Sequence, residues 1–151
     1  MARRDLVVGL EIDGLRETLA AFRRLPKDAS NELRDAAQKI AETIATAAKG
    51  AAVVDVSPQA RLMAPTITTR RDRVPVVQAG GARKVGRAGA PAYKLLFGSE
   101  FGSNRYRQFH RPHQGRKGAW FFATVEKNQG KIEREWLAAA DEIIERFTAG
   151  D

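Results

Sequence analysis

Between Pro26 and Pro58 the chain places apolar groups at Leu33, Ala37, Ile40, Ile44, Ala47 and Ala51, a three-to-four spacing that predicts one long amphipathic helix. From about residue 29 to 52 such a helix spans roughly 35 Å, long for a chain of this size. Much of its stripe is alanine, so a neighbour can approach its backbone closely. Asp28 is the expected cap, with Glu32 and Asp35 near the positive end of the helix dipole.

The flanking segments read differently. Leu6 to Ile12 is β-branched and apolar, a candidate strand. Asp13 is placed to cap a short helix carrying Leu15, Leu19, Phe22 and Leu25, which Pro26 ends. After the long helix, Val53, Val54 and Val56 favour extended backbone, and Ser57-Pro58 breaks the helix. Thr66 to Thr69 and Val74 to Val77 predict two strands joined by the turn Arg70-Arg71-Asp72-Arg73, with Pro75 placing the second at an edge or bulge. Gly80 to Gly89 predicts a basic loop, Tyr93 to Phe97 a third strand, and Gly98 to Gly118 a long loop. From Trp120 onward Val125, Ile132, Trp136, Ala140, Ile143 and Phe147 fall on one helical face, with Gly130 a candidate bend. The expected fold is one α+β domain over residues 1–151. A small, mostly antiparallel sheet is packed by the long Ala-rich helix and a C-terminal amphipathic helix, with long basic loops.

Charge is distributed unevenly along this order. Residues 1–60 carry nine Lys/Arg and nine Asp/Glu, residues 61–117 thirteen against two, and residues 118–151 four against seven. The central excess is carried by Arg70, Arg71, Arg73, Arg83, Lys84, Arg87, Arg105, Arg107, Arg111, Arg116 and Lys117, among others. Such a block suits phosphate, an acidic protein surface, or the acidic end of a neighbouring copy; the alternative is a solvated face. Glu133, Glu135, Asp141 and Glu142 are the candidate acidic partners.

Catalytic templates fail on particular residues, and no enzyme activity and no cofactor are expected. Without cysteine there is no thiol nucleophile or thiolate metal site. Gly81 to Ala88 has the glycine spacing of a phosphate-binding loop, but Arg87 and Ala88 stand where the lysine and the hydroxyl belong. His110 and His113 flank Pro112 amid arginines, a poor setting for a metal. Glu100, isolated between Asp72 and Glu126, is expected to pair with Arg105 or Arg107. Aromatics interleaved with the basic residues leave a second reading open, a nucleic-acid-binding protein using this loop region. Trp120, Phe121 and Phe122 are better explained as anchors into a core. No run is apolar and long enough for a membrane span, so no membrane partner is expected.

The order of a strand and short helix, a long Ala-rich helix, a basic β region, Phe97-Gly98-Ser99-Glu100-Phe101-Gly102, Arg107-Gln108-Phe109, Gly118-Ala119-Trp120-Phe121-Phe122 and a closing amphipathic helix resembles the tail-completion, or tail-to-head joining, family of long-tailed bacteriophages. The motif aromatics are Phe97, Phe101, Phe109, Trp120, Phe121 and Phe122. Ala123 stands where the family often has proline. The resemblance implies a structural virion protein of the head–tail connector, placed in the neck and present in the host cytoplasm during assembly. It implies a homo-oligomeric ring, about six copies by that likeness, between a head-completion protein and a tail terminator. Arginines lining the channel would make non-specific contact with DNA.

Overall fold

In a computed structural model, residues 5–9, 12–104, 107–109 and 119–149 are described. Chain order runs β1 (Asp5–Gly9), α1 (Leu15–Arg23), α2 (Lys27–Val54), α3 (Pro58–Met63), β2 (Thr68–Arg70), β3 (Val76–Gly80), β4 (Lys84–Val85), β5 (Ala90–Pro91), α4 (Ala92–Phe101) and α5 (Phe121–Ala149). The expected α+β class and its long helices are present. β1, β3 and β2 form one antiparallel sheet in that order, and β4 pairs with β5 in a separate hairpin.

α2 occupies the centre, packing against α5 and against β2 and β3. The long helices run antiparallel. Arg146, in the last turn of α5, bonds to Glu32 near the start of α2, while Ala51 and Val54 at the end of α2 share a groove with Trp120 and Ala123 at the start of α5. The buried face of α2 is Ala29, Leu33, Ala37, Ile40, Ala41, Ile44, Ala45, Ala48 and Ala52. Ala47 is exposed and Ala51 only half-buried, so the expected stripe is corrected by one position in its second half. From Ile44 the face continues through Ala48 and Ala52, the i+4 rows that stack on one side of a helix. On α5 the expected Val125, Ile132, Trp136, Ala140 and Ile143 are buried. That helix continues unbroken through Gly130.

Several local expectations are corrected. Asp13 does not cap α1; the chain enters it through Gly14, and the Asp13 N–H donates to Glu133 at 3.2 Å. α2 starts after Pro26, leaving Asp28 in its first turn, where its charge still suits the helix dipole. Val53 and Val54 extend α2 rather than a strand. β2 and β3 lie two residues later than expected, because Ala64–Thr66 forms a 3-10 turn. Thr66 Oγ1 donates to the Met63 carbonyl at 2.6 Å and accepts the Gly80 N–H at 3.0 Å, closing the end of the sheet. β3 is the central strand, not an edge: it begins one residue after Pro75, so the missing N–H falls outside the ladder.

Tyr93 to Phe97 is the first half of α4 and not a strand. Ala92, Leu96, Ser99 and Glu100 are its buried positions, a helical spacing that crosses Gly98. The loops expected over 80–91 and 98–118 are correspondingly shorter. The first is the β4–β5 hairpin, and the second gives its opening residues to α4 and a 3-10 turn to Arg107–Phe109.

Candidate functional site

The end of the molecule where α2 stops and α5 starts holds Glu100 and the motif aromatics Phe101, Trp120, Phe121 and Phe122. Its framework is the joint between α4 and α5. The Glu100 side chain is fully buried, and its carboxylate accepts the backbone N–H groups of Trp120 (3.2 Å), Phe121 (2.8 Å) and Phe122 (2.8 Å). A negative charge therefore sits on the N-terminal donors of α5, which have no partner within the helix. The expected partners of Glu100, Arg105 and the Arg107 side chain, lie outside the described residues.

Each neighbour in the motif has its own task. Ser99 Oγ lies 3.4 Å from the Trp120 indole nitrogen and donates to the Leu96 carbonyl at 3.0 Å. Phe101 stacks on Phe97 at 6.3 Å between centroids and leans on Phe122 at 5.6 Å. Phe121 meets both Trp120 and Phe122 edge-on. Trp120 and Phe121 are buried, as anchors should be. The Gly102 N–H closes α4 on the Gly98 carbonyl at 2.8 Å.

Gly98 is required for a steric reason. The Phe109 ring lies directly over its Cα, where a Cβ would overlap the ring edge. Gly98→Ala is expected to displace Phe109 and cost about 1–3 kcal/mol, read in urea denaturation. In Phe109→Ala, the same Gly98→Ala change should cost almost nothing, since contacting sites are not additive.

The basic residues divide into two groups. At the β2–β3 turn, Arg71 meets Asp35 at 2.8 Å and Arg70 approaches Asp72 at 3.9 Å. The Arg73 carbonyl accepts the Trp136 indole N–H at 2.7 Å. Two of the three arginines of this turn thus face an acid, and the Trp136 bond ties the turn to α5. On the hairpin, Lys84 and Arg87 are exposed, and Arg83 donates to the neutral Pro65 carbonyl at 3.1 Å. None of these three has a carboxylate partner among the described residues. The glycine spacing over 81–88 therefore belongs to a hairpin rather than to a strand–loop–helix phosphate site. Arg105, Arg111, Arg116, Lys117, His110 and His113 lie outside the described residues, as does the Arg107 side chain.

Of the acidic candidates, Glu133 accepts from the Asp13 backbone and Glu135 lies 3.8 Å from Lys131. Asp141 and Glu142 are exposed. They sit about 30 Å along α5 from its capped start. Glu32 raises the pKa of Arg146, chiefly through their hydrogen bond and then through its charge. Among the described residues no group of three or more His, Cys, Asp or Glu can hold a metal. No described helix is long and apolar enough to cross a membrane.

The sequence reading missed the most exposed apolar feature among the described residues. Val54 is 81% exposed and Val56 71%, with Val53 beside them at 46%. Val54, Asp55 and Val56 border a groove formed with Ala119, Trp120 and Ala123, which Lys127 flanks. Their β-branched character argued for a strand; three valines beside a helix-breaking Ser-Pro were the available signal. No family model matches this chain, nor does any curated protein or solved structure.

Proposed function

We propose that the chain is a structural assembly subunit of the head–tail connector kind, acting through complementary surfaces as one member of a ring. The observation that carries the reading is the valine end of α2. Val53 and Val54 at the end of α2 and Val56 just beyond it are exposed apolar area that a protein contact would remove from water. The exposed acids Asp141 and Glu142 lie at the far end of the same helix pair, whereas Lys127 flanks the valines. Two unlike surfaces at opposite ends suit a head-to-tail contact, which closes into a ring when its rotation permits. The resemblance set out in the sequence analysis supplies the neck of a long-tailed bacteriophage as the setting.

The test is a pair of substitutions at positions that carry no part of the core. Val54→Asp with Val56→Asp is expected to leave the circular dichroism unchanged. It should weaken self-association at least tenfold, since each buried carboxylate would cost more than about 1.4 kcal/mol. Light scattering across a dilution series reads the change. Association equal to that of the wild type would remove the valine end from the interface.

A further inference from the structure

We propose that the β4–β5 hairpin is a nucleic-acid arm, with Arg83, Lys84 and Arg87 contacting the phosphates of duplex DNA independently of sequence. The inference concerns the single chain and holds whether or not the valine end mediates assembly. Its first support is the division of charge described above. Asp35 pairs with Arg71 at 2.8 Å and Asp72 approaches Arg70 at 3.9 Å, whereas the hairpin cations face solvent without a carboxylate among the described residues. A cation already held in an ion pair has little left to offer a phosphate; an unpaired one releases a counterion from DNA when it binds.

The second support is shape. The arm is a two-stranded ribbon, Lys84 opposite Pro91 and Val85 opposite Ala90. The chain reverses at Gly86 and Gly89, both at positive φ, with Arg87 exposed between them. Apart from the cations, its exposed residues are Ala82, Gly86 and Ala88. One side of the ribbon lies on the body, with Val85 packed against the core and the Leu62 side chain beside Gly86, so its exposed cations are presented at the surface, where a phosphate backbone can reach them.

The third support is what the arm lacks. Protein interfaces draw their energy from buried aromatic or aliphatic anchors, and the exposed tip carries none larger than alanine. Phosphate contacts need only cations and backbone donors. Contacts confined to phosphate oxygens carry no sequence information, so binding is expected to ignore sequence.

The experiment is fluorescence anisotropy of a labelled 30-base-pair duplex titrated with the full chain between about 50 and 200 mM NaCl. Wild-type affinity should fall linearly on logarithmic axes. Lys84→Ala with Arg87→Ala should reduce that slope by about 1.8 and weaken binding by roughly tenfold or more at 0.1 M salt. Arg70→Ala with Arg71→Ala removes the same formal charge and should leave the slope nearly intact. The hairpin effect should persist in Val54→Asp/Val56→Asp, which separates it from any loss of assembly. Equal slopes for the two arginine- and lysine-depleted variants would overturn the proposal, leaving only net charge. So would absence of DNA binding at 50 mM NaCl. Hairpin-dependent binding to polyglutamate without binding to DNA would overturn it in favour of an acidic protein partner.

Discussion

Glu100→Ala is expected to lower stability by about 3–5 kcal/mol. The substitution strands the N–H groups of Trp120, Phe121 and Phe122 together. It also removes a fully buried carboxylate from the positive end of a 29-residue helix. For a chain of this size the melting temperature should fall by roughly 10–15 °C. Glu100→Gln keeps the volume and one acceptor oxygen while losing the charge, so its loss should be about half as large. Thermal melts followed at 222 nm make the comparison. If alanine and glutamine cost the same, charge has no part in the cap.

Trp136→Ala should have an effect of similar size, about 3–5 kcal/mol. Among the described residues Trp136 is the largest fully buried side chain, and it joins α5 to the β2–β3 turn through the Arg73 carbonyl. Trp136→Phe restores most of the apolar contact but leaves that carbonyl without its donor, at a cost of about 1–3 kcal/mol. The ordering alanine, phenylalanine, wild type is the expected result in urea unfolding. A phenylalanine variant as stable as wild type would show that the Arg73 carbonyl finds another donor.

The two stripes were unequally legible in the sequence. On α5 the core positions are Val, Ile and Trp against Glu, Lys and Arg, so the 3.6-residue period marks the buried face directly. On α2 alanine occupies both the buried positions 37, 41, 45, 48 and 52 and the exposed position 47. A residue that is equally at ease on both faces carries little information about register. Leu33, Ile40 and Ile44 located the face, and the alanines after them did not refine it.

α4 was obscured for another reason. Gly98 and the aromatic content of Tyr93 to Phe97 point away from a helix locally. The requirement for Gly98 comes from Phe109, eleven positions later. Tertiary contact overrides local preference there. Glu100 carried a signal of another sort, a single acid in a long basic stretch. Its meaning depended on the N-terminus of α5 lying close in space, which no local pattern discloses. The basic block read as one feature in the sequence because its divider, Asp35, lies on α2.

The assembly reading rests on the valine end of α2 as a surface between copies. Native mass spectrometry of the wild-type chain across a dilution series tests it most directly. A single closed multiple of the 16.6 kDa chain, dissociating cooperatively on dilution, is the predicted result. A monomer at every concentration, or an open-ended ladder of sizes, would contradict a ring.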